Sequence, residues 1–281
     1  MLFEMAMIDA DTQALLEAVT AEFAALPDVT AVVLSGSREG KFADDRSDID
    51  LYVYAEPEPS EAWRAKLGRK FGDRARIGNH FWEPGDEWVA SRNSTVVDIM
   101  YRSPAWIEAQ LDRVWFQHQA SVGYSTCFVH NVLHSMPLHD RDGWFALLRA
   151  KAQLPYPEPL RRAIIAKNHP ILRSLLSSYV HQIDLALGRA DQVSVNHRIS
   201  ALLASYFDIL FAVNRLPHPG EKRLVAYVLA QCPKLPPDFQ TQVNELLLAV
   251  APTGQPDALE KVTALLDGLD ALLIAEGLIT R

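Results

Sequence analysis

Apolar residues recur at helical spacing from Asp11 to Leu26, where Leu15, Leu16, Val19, Phe23 and Leu26 share one face. Asp11 or Thr12 offers a cap, and Pro27-Asp28 a stop. The pattern then changes to short runs that are continuous or alternate every second residue. Val29 to Leu34, Ile49 to Tyr54 and Thr95 to Tyr101 are each read as a strand. Arg38 to Ser47 is charged and polar, a loop or short helix between the first two. Ser60 to Phe71 returns to helical spacing through Trp63, Leu67 and Phe71. A further strand is expected within Arg74 to Trp82, and the polar stretch Glu83 to Ser94 is expected to loop. Ser103-Pro104 opens another helix, because proline suits the first helical position.

From about residue 121 the strand pattern stops and helical spacing takes over. Trp144 to Ala152 predicts a short helix. Pro170 to Gly188 predicts a long one that begins at proline and ends at glycine. Val193 to Leu216, Glu221 to Gln231, Asp238 to Val250 and Pro256 to Glu276 continue the series. Short breaks between helices of this length predict an antiparallel bundle. The expected class is α+β, a small mixed-sheet domain over residues 1–120 followed by an α-helical bundle domain over residues 121–281.

Composition narrows the setting. Apolar residues make up 49% and charged residues 22%, values of an ordinary globular chain. No apolar run reaches the roughly 20 residues of a membrane helix. Met1 to Thr12 carries Glu4, Asp9 and Asp11 and no basic residue, unlike a targeting segment. Cys127 and Cys232 make neither a disulfide framework nor a zinc spacing, so free thiols are expected. A cytoplasmic protein with no membrane partner is the expectation. The net charge of −8 is uneven: residues 1–120 hold 12 Lys and Arg against 21 Asp and Glu, whereas residues 121–281 hold 15 against 14. Long nucleic acids are bound by neutralising many phosphates with Lys and Arg, so an acidic first half argues against such a partner.

The chemistry concentrates in Val32-Val33-Leu34-Ser35-Gly36-Ser37 and, after a ten-residue spacer, Asp48-Ile49-Asp50-Leu51-Tyr52-Val53-Tyr54. Residues two apart on a strand share a face, so Asp48 and Asp50 present two carboxylates together while Ile49 and Leu51 enter a core. Close like charges call for a compensating cation, and Mg²⁺ prefers such oxygen ligands. Asp98, set in Val96-Val97-Asp98-Ile99-Met100-Tyr101, supplies a third acid on a strand. Taken alone, Ser35-Gly36-Ser37 reads equally as a plain turn, and the aspartates as solvated residues at a strand edge.

This ordered set resembles the signature of the DNA polymerase β-like nucleotidyltransferase superfamily over roughly residues 30–102. The layout is also similar to aminoglycoside and lincosamide nucleotidyltransferases, which pair such a domain with a helical C-terminal one. The resemblance implies Mg²⁺-dependent transfer of a nucleoside monophosphate from an NTP, with ATP the first choice, to a hydroxyl of a small-molecule acceptor. It implies a two-metal site, with Asp48 and Asp50 holding the metals. Asp98 either completes one shell or takes the acceptor's proton. Gly36 would let the backbone approach the triphosphate without a Cβ clash, and Ser37 would donate hydrogen bonds to it. Arg38, directly after Gly-Ser, is a further phosphate candidate. Lys222, after Pro219-Gly220 at an expected helix start, resembles the lysine that reaches the triphosphate from a helical C-terminal region, with Arg223 a weaker candidate. The helical domain would then bind the acceptor.

Other residues carry less. The nine histidines show no metal spacing. The tryptophans read as core, although Trp82 or Trp88 would be placed to line an acceptor pocket. Two rival functions keep the same fold: an enzyme that AMPylates a protein partner, and a catalytically silent nucleotide-binding module. The large helical region argues against the first. The retention of three costly acids argues against the second.

Overall fold

Asp9 caps the first helix, α1 (Ala10–Ala24), by accepting from the Thr12 amide at 2.9 Å and its hydroxyl at 2.6 Å. The cap therefore falls two or three residues before Asp11 and Thr12. The computed structural model describes residues 9–35, 48–81, 83–250 and 257–280. After α1 come β1 (Val29–Ser35), β2 (Ile49–Ala55), α2 (Glu61–Phe71), β3 (Gly72–Asn79), β4 (Gly85–Ala90), β5 (Val96–Arg102) and α3 (Pro104–Leu111). A π-turn at Asp112–Phe116, then α4 (Cys127–His134), β6 (Met136–Asp140) and α5 (Trp144–Ala152) follow. The chain ends with α6 (Glu158–Arg173), α7 (Tyr179–Gly188), α8 (Gln192–Asn214), α9 (Leu224–Gln231), α10 (Phe239–Ala249) and α11 (Ala258–Ala275). The class is α+β. Among the described residues no helix is long and apolar enough to cross a membrane.

The six strands form one mixed sheet in the order β3-β4-β5-β2-β1-β6. Only β2 and β5 pair in parallel; the other neighbours are antiparallel. Alternation sorts the residues of the central strands. Ile49, Leu51 and Val53 join Val97, Ile99 and Tyr101 in a core completed by Leu16, Val19 and Phe23 of α1 and Leu67 of α2. The remaining residues of β2 and β5 point to the opposite face. Gly85 opens β4 where only glycine fits, since a Cβ there would lie 2.6 Å from the Ile99 carbonyl oxygen.

The β4 strand overturns the loop expected over Glu83 to Ser94. Its inward positions include an acid, Asp86, which is only 2% exposed. Asp86 accepts from Arg64 Nη1 at 2.8 Å, the Tyr101 hydroxyl at 2.8 Å and the Gly78 amide at 2.9 Å. Arg64 is itself buried and also pairs with Glu58 at 2.9 Å. A polar residue in a core position breaks the apolar alternation that marks a strand. Asp86→Ala would strand three donors in the core and is expected to destabilise this unit by about 3–5 kcal/mol. An Asp86→Leu/Arg64→Met pair should recover part of that loss. A denaturant midpoint for Asp86→Ala equal to the parent's would refute the assignment.

The chain divides into two compact units. One comprises Met1–Leu111 and Asn131–Leu154, the other Asp112–His130 and Pro155–Arg281. The single boundary expected at residue 120 differs from this, because residues 131–154 return to the sheet. There β6 pairs with β1, so strands do not end before residue 121. Arg141 donates to the carbonyls of Ala24, Leu26 and Val29 at 3.0, 2.9 and 2.9 Å. Asp140 then caps α5 through the amides of Phe145 and Ala146 at 2.8 and 3.0 Å.

In the helical unit, every residue of α8 from Ser205 to Val213 is buried. The long helix expected over Pro170 to Gly188 is instead two. α6 runs through Pro170 to Arg173, and α7 restarts under a Ser178 cap. The proline forfeits one hydrogen bond within α6 rather than opening a helix. Asp208 lies inside α8 and accepts from the Ser125 amide at 3.0 Å, its hydroxyl at 2.7 Å and Asn168 Nδ2 at 3.3 Å. Cys127 Sγ lies 3.6 Å from His218 Nδ1. Burial pushes the Cys127 thiol up to about 12 and His218 down to about 3. Both are therefore neutral, a packing pair rather than a nucleophile and base. Both cysteines are free.

Candidate active site

β1 delivers Ser35, and β2 begins beside it. In the ladders, Ser35 of β1 faces Asp50 of β2, Asp50 faces Asp98 of β5, Asp98 faces Glu87 of β4, and Glu87 faces Arg76 of β3. Directly opposed residues share a face. Five side chains thus form one row across five strands, on the side away from the α1 and α2 core. Neighbouring strands lie about 4.8 Å apart, which sets the spacing of the row. Asp48 precedes β2 and is exposed, while Asp50 and Asp98 are half-buried. Of the three acids expected to meet at one end of the sheet, the parallel register of β2 and β5 opposes Asp50 and Asp98, and Asp48 lies outside that ladder.

Below the row, the same face closes. Tyr54 packs on Trp144 and Phe145 of α5 with ring centroids 5.1 and 5.9 Å apart. The Arg102 guanidinium lies 3.8 Å over the Tyr52 ring, and Glu83 grips it through two hydrogen bonds of 2.7 and 2.8 Å. Asn131 Nδ2 donates to the Tyr52 hydroxyl at 3.4 Å. This floor orders β2 and β5 directly beneath the acids.

The electrostatics favour a cation. Burial raises the Asp98 carboxyl above the usual carboxylate range, and the like charges of Glu87, Asp48 and Glu83 raise it further. A cation among them would reverse the last three effects. Among the described residues no three His, Cys, Asp or Glu side chains converge as a metal cage. Mg²⁺ does not require one. It keeps several waters and takes one or two carboxylates together with substrate phosphates, a requirement that the opposed Asp50 and Asp98 could meet.

The remaining sequence candidates divide. Gly36, Ser37, Arg38 and Trp82 lie outside the described residues. Trp88 is 1% exposed in the sheet core, because alternation turns it away from Glu87, so it lines no acceptor pocket. Lys222 is exposed in the turn before α9, which starts only at Leu224. Arg223 forms the N-cap in a left-handed conformation, so neither residue lies within the helix. Glu87 joins the row although the sequence reading passed over it. The signal that would have found it is its place beside Trp88, one step out of phase with the core.

No family model matches the sequence, and no curated protein matches it. Among solved structures, the chain is similar to a nucleotidyltransferase-like protein from Exiguobacterium sibiricum 255-15. The identity is 13% and the TM-score 0.47, over 94% of this chain and 75% of that one. A likeness at this level leaves the chain's own register as the basis for its chemistry.

Proposed function

We propose that this protein transfers a nucleoside monophosphate from an NTP, with ATP the first candidate, to a hydroxyl of a small-molecule acceptor. The observation that carries the reading is the direct opposition of Asp50 and Asp98 across the parallel β2–β5 pair, beside the strand that runs into Ser35-Gly36-Ser37. Adjacent, half-buried acids at the head of a sheet are costly in like-charge repulsion. That cost has a purpose where charge must be neutralised during reaction.

Asp48 and Asp50 would hold Mg²⁺, with Asp98 beside them. Mg²⁺ supplies neutralisation of the charge on the attacking and leaving oxygens. In the reaction, the acceptor oxygen forms a bond to the α-phosphorus. The bond from that phosphorus to the bridging oxygen breaks, and pyrophosphate leaves with its electron pair. Asp98 would receive the hydroxyl proton. The buried Ser35, with Gly36 and Ser37 after it in sequence, would supply backbone and hydroxyl donors to the phosphates.

The test is incubation of the purified protein with each labelled NTP, Mg²⁺ and a panel of metabolites and hydroxyl-bearing antibiotics. Pyrophosphate release coupled to a labelled product is the expected result. Absence of both across the panel, with nucleotide bound, would favour a silent nucleotide-binding module. Label transferred only to protein in a lysate would favour AMPylation.

A further inference from the structure

We infer that the end of the sheet away from the acids holds a second binding site, a pocket for an organic cation on a short apolar stem. The inference does not depend on the nucleotidyl-transfer reading. The pocket lies where α1 turns into β1 and where β2 leaves for α2. It holds about 310 Å³, at the lower end of small-ligand sites, which run from roughly 300 to 1,000 Å³. Its apolar walls are Leu26, Pro57, Pro59 and Trp63, and its acids are Asp28 and Glu58. The length of β1 and β2 separates it from Asp50, since Val29 opposes Ala55 at this end and Ser35 opposes Asp50 at the other. That stretch of strand spans about 20 Å.

Charge decides what such a pocket takes. The Glu56 amide donates to the Asp28 carbonyl at 3.2 Å, which brings these two exposed acids together at the rim. Among the described residues neither carboxylate has an ion pair. Glu58 shares the Arg64 guanidinium with the buried Asp86, at 2.9 and 2.8 Å, so one cation is divided between two acids. Arg141 is engaged with the carbonyls of Ala24, Leu26 and Val29. The start of α2 would favour an anion, but Ser60 caps the Trp63 amide and Glu61 occupies the first turn. Among the described residues no Lys or Arg lines the pocket. A cation is therefore the ligand whose charge is complemented. The half-exposed Trp63 ring, backed by Phe23 at 5.1 Å, adds attraction for an ammonium or guanidinium group. Leu26 and the two prolines would cover the methylenes behind it. A free polyamine has this chemistry, and so does a lysine or arginine side chain of a peptide.

The experiment titrates the full chain with n-butylammonium, n-butanol and butyrate and follows the indole N–H resonances. Of the six tryptophans, the one whose signal is missing in Trp63→Leu reports the pocket. Butylammonium should shift that signal saturably and bind about tenfold tighter than butanol, the size of one charge-assisted hydrogen bond. Butyrate should leave the signal unmoved. Asp28→Asn should weaken ammonium binding by a similar factor with Tm unchanged, since Asp28 is exposed. Glu17→Gln, at an exposed position of α1, should change nothing. Spermidine and a capped lysine tripeptide separate the two sources: tighter spermidine identifies a free polyamine, and a tighter peptide identifies a side chain. Four results would each overturn the site: no shift of the Trp63 signal, equal binding of butylammonium and butanol, ammonium binding that survives Asp28→Asn, or an equal loss in Glu17→Gln. The last would mark diffuse attraction to an acidic unit.

Discussion

Asp50→Ala is expected to lower nucleotidyl transfer by about 10³-fold or more while the sheet stays folded. On the proposed reading Asp50 binds the metal, and loss of such a carboxylate forfeits several kcal/mol of charge stabilisation in the transition state; each 1.36 kcal/mol is about tenfold in rate. The effect on folding should be small. Asp50 is half-buried and lies on the sheet face opposite the core of Ile49, Leu51 and Val53, so its removal opens no cavity there. Asp50→Asn keeps the shape and should lose nearly as much activity, which separates charge from packing. Far-UV circular dichroism and Tm establish the fold, and pyrophosphate release establishes the rate. Turnover by either variant within tenfold of the parent would remove Asp50 from the site.

That prediction draws on what was legible in the sequence. Asp50 and Asp98 could be placed because their neighbours, Ile49 with Leu51 and Val97 with Ile99, are apolar and reach one core. Alternation then forces both acids to the other face. Which residue opposes which was not legible, since register is a property of two strands and not of one. The place of Glu87 in the row was hidden for that reason, although its position beside Trp88 set it out of phase with the core, and its strand was hidden for another. Its strand carries Asp86 inward, and the Arg64 partner that makes this tolerable lies 22 residues away on α2. The return of β6 to the sheet was hidden similarly. Met136–Asp140 is short and includes Pro137 and His139, only partly buried at an edge, so no apolar run announces it. In the helical unit, spacing located α7 to α11 but misread Pro170 as a start and gave no helix over most of α6. Burial of Leu172 against the core outweighs one missing hydrogen bond there.

The largest pH effect is expected from Asp208. Burial pushes its carboxyl from 3.8 up to about 7, although the Ser125 hydroxyl and amide pull it back. No cation offsets the burial among its described hydrogen-bond partners, which are Ser125 and Asn168. The folded state therefore holds a proton that the unfolded state has released between about pH 4 and pH 7. Stability of the helical unit should fall as pH rises through that window and level off above it, by up to roughly 4 kcal/mol in total. Asp208→Asn cannot ionise. It keeps Oδ1 for the Ser125 amide but sets an amide NH₂ where Oδ2 accepts from the Ser125 hydroxyl and Asn168 Nδ2, so it should be less stable than the parent at pH 5. At pH 8, where the parent bears a buried charge, the difference should shrink or reverse. Hydrogen exchange of peptides from α8 reads this unit without interference from the sheet, since its amides are protected by the packing around Leu202 to Val213. Parallel pH profiles for parent and Asp208→Asn would mean that the folded carboxyl titrates in the ordinary range, and that Ser125 and Asn168 stabilise its charge fully despite the burial.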